Sequence, residues 1–174
     1  MKVLVTGGVR SGKSRHAEEL LSAAGEVTYI APGRPADGSD PDWDARVAGH
    51  RSRRPAHWRT VETTDVAAAV RDAGGALLVD CLGTWLTALL DDAGLWDGSS
   101  RDAAAVVERH VTALCDSLTE VPDAVVVTNE VGLGVVPSHR SGVMFRDLLG
   151  TVNQRVAAVC DDVHLVIAGR VLTL

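Results

Sequence analysis

The feature that most constrains the fold is a glycine-rich segment near the start of the chain. Residues 7–14 read Gly-Gly-Val-Arg-Ser-Gly-Lys-Ser and match the pattern GxxxxGK[ST] in full. The apolar run Val3–Thr6 precedes this segment, and a helical pattern over Lys13–Ala23 follows it. Strand, glycine-rich loop and helix in this order form a phosphate-binding site, because backbone N–H groups then point inward at a helix N-terminus. A chance glycine-rich turn is the alternative.

The candidate phosphate-binding residues are Gly7, Gly8, Val9, Arg10, Ser11, Gly12, Lys13 and Ser14. In such a loop the lysine reaches the β- and γ-phosphates of a nucleotide, and the hydroxyl that follows it binds Mg²⁺. We therefore expect Lys13 to contact the triphosphate and Ser14 to be a metal ligand.

Short apolar runs alternate with helical patterns along the rest of the chain. The runs are continuously apolar, as in strands buried on both faces of a parallel sheet, and they cover Val27–Ala31, Ala76–Asp80, Val125–Thr128 and Val163–Ile167. Helical patterns fill the gaps between them, at about Val66–Ala73, Leu82–Leu90, Asp102–Leu118 and Ser141–Val159. This alternation predicts an α/β fold, a mostly parallel sheet with helices on both faces. Gly169-Arg170 predicts a hairpin that adds Val171–Leu174 as an antiparallel edge strand.

The length and net charge of the chain exclude some classes of protein. The chain has 174 residues, which fits a single domain over residues 1–174. Its formal net charge of −6 argues against a protein that coats nucleic acid. Cys81, Cys115 and Cys160 lie far apart and lack the spacing of metal ligands. We expect reduced thiols, no membrane span and a cytoplasmic location, since no signal peptide or long apolar run is present.

Asp80 ends the third apolar run and has the position of a Walker B carboxylate. A carboxylate at the carboxyl end of such a strand can hold Mg²⁺ directly or through water. An apolar helical stretch follows, so the alternative is that Asp80 caps that helix. The two roles are compatible.

A basic helix is predicted between the second and third apolar runs. Asp40-Pro41-Asp42 is a strong helix start, and Pro55 ends the helix at about Arg54. Four basic side chains share one face of this helix, namely Arg46, His50, Arg53 and Arg54. A neutral imidazole among phosphate-binding arginines can attack phosphorus, while the arginines stabilise charge on the transferred group. A solvated basic face is the alternative, and spacing alone does not decide between them.

Several short segments, taken in order, point to one family. They are Arg15-His16-Ala17-Glu18 directly after the glycine-rich loop, Tyr29-Ile30-Ala31, Arg46-Val47 before His50-Arg51, Arg54-Pro55 with Trp58-Arg59-Thr60 and Glu62, Asp80-Cys81-Leu82, Thr128-Asn129-Glu130-Val131-Gly132, Val135-Val136-Pro137, Phe145-Arg146-Asp147 and Asn153-Gln154-Arg155. Together they resemble the bifunctional adenosylcobinamide kinase / adenosylcobinamide-phosphate guanylyltransferase family of cobalamin biosynthesis. The resemblance runs from about residue 2 to residue 172.

The resemblance implies two reactions with GTP and ATP as substrates and Mg²⁺ as cofactor. A nucleoside triphosphate phosphorylates adenosylcobinamide, and GMP then passes from GTP through a histidine to adenosylcobinamide phosphate. The family's histidine falls on His50, which favours the nucleophile over the solvated face. Nucleotide contacts carry over to the glycine-rich loop and to Ala31, Pro32, Gly33, Arg51, Ser52, Arg53, Arg54, Glu62 and Asp80. The family also implies a RecA-like fold and a homotrimer.

Two local features qualify this resemblance. The family often has threonine after Tyr-Ile-Ala, where this chain has Pro32-Gly33, so a hydroxyl that could contact the nucleotide is missing. The loop Asn129–Gly134 is not the Asn-Lys-x-Asp pattern by which GTPases read guanine. With Arg140, Arg146 and Asn153 it is expected on the corrinoid side, and a structural glycine-rich turn is the alternative. The competing hypotheses are a P-loop small-molecule kinase without guanylyl transfer and a non-enzymatic nucleotide-gated interaction module.

Overall fold

The apolar runs form a seven-stranded sheet in the computed structural model, which describes residues 1–174. The strands are β1 (Lys2–Gly7), β2 (Val27–Ala31), β3 (Arg59–Glu62), β4 (Ala76–Asp80), β5 (Ala124–Val127), β6 (Asp162–Ile167) and β7 (Arg170–Thr173). Their order is β3-β2-β4-β5-β1-β6-β7, and every neighbouring pair is parallel except the antiparallel β6–β7 hairpin. The predicted mostly parallel α/β sheet with an antiparallel C-terminal edge strand is confirmed.

The six helices occupy the predicted stretches, with shifts of a few residues at their ends. They are α1 (Lys13–Leu20), α2 (Pro41–Arg53), α3 (Val66–Arg71), α4 (Leu82–Asp92), α5 (Ser100–Glu120) and α6 (Arg140–Ala157). None of them is both long and apolar enough to cross a lipid bilayer.

The side chains of the central strands divide between two hydrophobic clusters. Leu4 and Val79 point into a larger cluster that α3, α4, α5 and α6 complete, whereas Val3, Val5 and Leu78 point into a smaller one that α1 completes. Successive side chains of a strand face opposite sides of a sheet. Because both sides are covered, the strands are apolar throughout and show no alternation.

Helix α2 differs from the other helices because it has no buried residue. The Asp40 carboxylate caps it, accepting from the N–H groups of Asp42 at 3.2 Å and Trp43 at 3.1 Å. The helix ends at Arg53, and Arg54 adopts an extended conformation before Pro55, as predicted. Helix α2 contacts the sheet through polar side chains, His50 with Asp80 of β4 and Arg51 with Glu62 of β3.

Strand β3 is an element that the hydrophobic pattern does not reveal. It lies at the sheet edge beside β2, and of its four residues only Val61 is half-buried. An edge strand buries little apolar surface, so its sequence needs no apolar run. This strand places Glu62 beside the carboxyl end of β2, opposite Ala31.

Candidate nucleotide-binding site

The glycine-rich loop lies between β1 and α1 and has the geometry of a phosphate cradle. Gly12 precedes α1 with a φ of 100°, which favours glycine. A Cβ on Gly7 would lie 2.4 Å from the carbonyl oxygen of Val166, so that position has no room for a side chain. The Nζ of Lys13 donates to the Gly8 carbonyl oxygen at 3.2 Å and so bridges the loop. Burial lowers the pKa of Lys13, against the opposing influence of nearby Cys81 and Asp80.

An outer cleft of about 920 Å³ lies between this loop and α2. One wall comes from the loop and the start of α1, and the other comes from α2. The lining residues are Arg10, Ser11, Gly12, Lys13, Ser14 and Arg15 on the first side and Asp42, Ala45, Arg46, Gly49, His50 and Arg53 on the second. The volume suits a nucleotide-sized ligand, and both cationic walls suit a triphosphate.

A small inner pocket of about 80 Å³ adjoins the cleft. The two share Lys13, Ser14, Arg46 and His50 in their linings. The inner pocket also contains five of the predicted contacts, namely Ala31, Gly33, Arg54, Glu62 and Asp80. His50 therefore lies where the phosphate-binding loop and these predicted nucleotide contacts meet.

The carboxylate of Asp80 is the centre of a hydrogen-bonded group in the inner pocket. Its Oδ2 atom accepts from the Tyr29 hydroxyl at 2.9 Å and lies 3.5 Å from His50 Nδ1, and the side chain is only 6% exposed. Burial opposes its ionisation, but contacts with His50, Tyr29 and Ser14 outweigh burial and hold the pKa of Asp80 below its usual value. Burial and the neighbouring carboxylate raise the pKa of Tyr29, so its phenol stays protonated and donates.

The alternative role of Asp80 as a helix cap is wrong. Cys81 occupies the N-cap position of α4, and the backbone N–H of Cys81 reaches the Thr84 hydroxyl. Asp80 instead faces the inner pocket, which Ser14 also lines, and Ser14 is one of the neighbours that lower the pKa of Asp80. A buried, ionised carboxylate beside a hydroxyl, next to a phosphate-binding loop, offers the oxygen ligands that Mg²⁺ prefers. Ser14 and Asp80 are thus a chemically suitable pair to hold this cation.

The basic side chains of α2 and its end do not all face the cleft. Arg46 and Arg53 line it, and the Nη2 atom of Arg53 lies 3.3 Å from His50 Nδ1. The guanidinium of Arg54 lies 3.4 Å from the centre of the Tyr29 ring. Arg51 lines neither cavity and pairs with Glu62 at the edge of the inner pocket, and the Ser52 hydroxyl donates to Gly49 of its own helix.

Other predicted contacts are also peripheral. Val9 is 79% exposed at the loop tip, and Pro32 is buried without lining either cavity. Sequence reasoning missed Tyr29, Trp43 and Thr84 as lining residues. Tyr29 lies within an apolar strand, so its position indicates a core residue. No local sequence pattern marks Trp43 or Thr84 as a lining residue.

The loop after β5 contacts the phosphate-binding loop directly. The N–H of Glu130 donates to the Gly7 carbonyl oxygen at 3.1 Å, and Asn129 lines the inner pocket. Asn153 and Arg146 hold this loop, through bonds to the carbonyl oxygens of Asn129 at 3.1 Å and Gly132 at 2.9 Å. Arg140 bonds instead to the carbonyls of Trp96 and Gly98 in another loop.

Comparison with known proteins gives one consistent family. The family model described as "Cobinamide kinase / cobinamide phosphate guanyltransferase" matches residues 3–174. The chain is 41% identical to the "Bifunctional adenosylcobalamin biosynthesis protein CobU" of Salmonella typhimurium, over 97% of each chain. It is 44% identical to the corresponding CobP of Pseudomonas aeruginosa, over 97% of this chain and 94% of that one.

Among solved structures, the fold resembles that of an ATPase from the type III secretion system of pathogenic bacteria. The TM-score is 0.55 at 14% identity. The match covers 94% of this chain but only 51% of the ATPase, so this chain spans about half of that protein's length. At this identity the likeness concerns the fold alone, and it agrees with the predicted mostly parallel α/β sheet.

Proposed function

The chain belongs to the cobinamide kinase / cobinamide phosphate guanyltransferase family, and from this premise we propose how its cleft performs the two reactions. The protein is an enzyme of cobalamin biosynthesis that phosphorylates adenosylcobinamide and then transfers GMP to the resulting phosphate. This assignment argues against a kinase without guanylyl transfer and against a non-enzymatic interaction module. The observation that carries our proposal is the position of His50, which lines both cavities.

In the kinase reaction the nucleoside triphosphate lies in the outer cleft. The loop N–H groups and Lys13 contact the β- and γ-phosphates, and Arg46 faces them from α2. The substrate hydroxyl attacks the γ-phosphorus in line, and the bond to the β-phosphate oxygen breaks. Ser14 and Asp80 would hold Mg²⁺, which would neutralise charge on the phosphate oxygens. This reaction needs no covalent enzyme intermediate, so His50 is not its nucleophile.

In the guanylyl transfer His50 carries the GMP group. Its Nε2 atom attacks the α-phosphorus of GTP, a P–N bond forms, and pyrophosphate leaves. An oxygen of adenosylcobinamide phosphate then attacks the same phosphorus, which breaks the P–N bond and returns the electron pair to Nε2. Arg46 and Arg53 line the cleft beside the ring and stabilise the negative charge of the transferred group.

The direct test is covalent labelling with α-labelled GTP. Wild-type protein should take up label that is lost in acid and survives base, because a phosphoramidate on imidazole has that stability. His57→Ala is the matched control, since His57 is exposed beyond the end of α2 and should leave labelling unchanged. Label that resists acid, or no label at all, would contradict a histidine intermediate.

We also propose that this single-domain protein works in the cytoplasm as a homotrimer. Support for assembly comes from exposed apolar side chains on the hairpin β6–β7, namely Ile167, Val171 and Leu172, with Leu174 beyond it. Light scattering on the purified chain should give three times its 18.3 kDa. A mass of one chain at micromolar concentration would overturn the trimer.

A further inference from the structure

His50 Nδ1 lies between two groups that demand opposite tautomers of the ring. The Nη2 atom of Arg53 is 3.3 Å from it, and the Oδ2 atom of Asp80 is 3.5 Å from it. A guanidinium only donates, so that contact requires a lone pair on Nδ1 and leaves the proton of the neutral ring on Nε2. A carboxylate only accepts, so it draws the proton to Nδ1 and leaves a lone pair on Nε2.

Only the second tautomer can act as the nucleophile proposed above. The Nε2 lone pair forms the P–N bond, and the bond from phosphorus to the bridging oxygen breaks with its electron pair on pyrophosphate. The proton stays on Nδ1 throughout, so the ring becomes a cation when Nε2 is bonded to phosphorus. Asp80 then faces a positive charge, whereas Arg53 at the same nitrogen would repel it.

Tyr29 holds Asp80 in the place that favours the reactive tautomer. Its hydroxyl donates to the same Oδ2 atom that faces His50, at 2.9 Å. The ring is only 1% exposed and lies beneath the guanidinium of Arg54, 3.4 Å from the ring centre. With burial on one side and Arg54 on the other, Tyr29 has little freedom to turn away, and the carboxylate oxygen is fixed with it.

Glu18 interacts with Arg53, whose guanidinium favours the unreactive tautomer of His50. Its Oε1 atom lies 3.5 Å from Nη2 of Arg53, the same nitrogen that approaches His50. The Glu18 side chain is 12% exposed, and Oε1 is buried without a hydrogen-bond partner. Arg53 is therefore the cation that offsets this buried charge, and the attraction draws Nη2 away from the imidazole.

We propose that Tyr29 and Glu18 are positioning residues that together set the tautomer of His50, with its proton on Nδ1 and its free lone pair on Nε2. The inference rests on the proposed role of His50 as the GMP carrier. It assigns catalytic consequences to two side chains that do not touch the reacting phosphorus.

The test reads the tautomer directly in the full chain. Protein labelled with ¹⁵N-histidine is studied by NMR at about pH 8, where an ordinary imidazole is neutral, and the His50 signals are assigned by their absence in His50→Gln. Wild-type His50 should carry its proton on Nδ1, and Tyr29→Phe and Glu18→Gln should each move population to the Nε2–H form. Self-guanylylation should slow by about tenfold or more in both variants. In Glu18→Gln, at a residue that lines neither cavity, the kinase kcat should stay within about threefold of wild type.

Ser117→Ala is the matched control for losing a buried hydroxyl. Ser117 is 2% exposed and donates to the Leu114 carbonyl oxygen at 2.8 Å within α5. It should change neither the tautomer nor the ratio of the two activities. An unchanged tautomer in both test variants, or an equal loss of both activities in Glu18→Gln, would overturn the inference. Wild-type protein that fails to take GMP onto His50 would instead overturn the proposed function, because the tautomer is measured without turnover.

Discussion

Our proposal makes both reactions depend on Lys13, because it places this residue against the triphosphate in each. Replacing Lys13 by Ala removes the cation that bridges the phosphate-binding loop. We expect both activities to fall by at least about a hundredfold, the usual effect of losing one charged contact to a transition state. Assays of cobinamide phosphate formation and of GMP labelling on the same preparation measure this. If either activity persisted near the wild-type rate, the two reactions could not share this loop.

We propose two roles for Asp80, and Asp80→Asn tests both. The amide keeps the size of the side chain and can still accept from Tyr29, but it loses the charge that attracts Mg²⁺ and His50 Nδ1. The Mg²⁺ concentration for half-maximal kinase activity should rise about tenfold. GMP labelling should fall further than the kinase rate, since it also needs the oriented imidazole. Unchanged turnover at low Mg²⁺ would contradict a metal role for Asp80.

At the scale of elements, we expect the stability of α2 to affect GMP transfer strongly and the stability of the whole fold only slightly. Asp40→Ala removes its N-terminal cap, which costs about 1 kcal/mol of helix stability. Because α2 has no buried residue, the loss should appear as faster amide hydrogen exchange over residues 41–53 and slower GMP labelling, with the Tm of the whole chain nearly unchanged.

Ser99→Ala is the matching change in a helix that belongs to the core. Ser99 caps α5, where its hydroxyl accepts from the Asp102 N–H at 3.0 Å, and α5 contributes to the larger cluster. This variant should lower the Tm while GMP labelling of the folded protein stays at the wild-type rate. If Asp40→Ala lowered the Tm as much as Ser99→Ala and left labelling intact, α2 would be part of the stable core and not needed for GMP transfer.

A contact between α1 and β6 should make stability depend on pH. His16 Nε2 lies 2.8 Å from His164 Nδ1, and burial, together with His164, lowers the pKa of His16. The folded state thus binds a proton less readily than the unfolded state, whose histidine pKa is about 6.5. The stability from this contact is present above that value and is lost as pH falls through the lowered pKa.

Thermal unfolding at about pH 8 and about pH 5.5 measures this effect, since the two values lie on either side of the free histidine pKa. The drop in Tm between them should be smaller in His16→Gln than in wild type. His57→Gln serves as the control, because His57 is exposed and should give the wild-type drop. An equal drop in all three proteins would show that His16 does not contribute.

At the scale of the whole molecule, the features that can be predicted from the sequence are those that a local residue pattern determines. The buried strands are continuous apolar runs because helices cover both faces of the sheet, and α2 carries its own start and stop signals in Asp40 and Pro55. Strand β3 was not predicted, because an edge strand needs no apolar run. The role of Tyr29 in the site was not predicted, because a buried aromatic residue in a strand is typical of a hydrophobic core. Its contact with Asp80, which lies 2.9 Å from its hydroxyl, is formed only in the folded chain.

The candidate site was predictable only where one segment holds all its parts. The phosphate-binding loop is such a segment, and the resemblance to a family located His50. The pairing of His50 with Asp80, and the departure of Arg51 from the cleft toward Glu62, depend on how α2 lies against β4 and β3. Such contacts between distant segments are set by packing, which no spacing along the chain reveals.

The most direct test of the account is a pair of assays on His50→Asn. We predict that covalent GMP labelling is abolished, because the nucleophile is gone, while cobinamide phosphate formation continues at least in part, because that transfer goes directly to a hydroxyl. Circular dichroism confirms the fold of the variant. Continued uptake of GMP would show that another residue is the nucleophile, and loss of both activities in folded protein would show that His50 belongs to a shared triphosphate clamp.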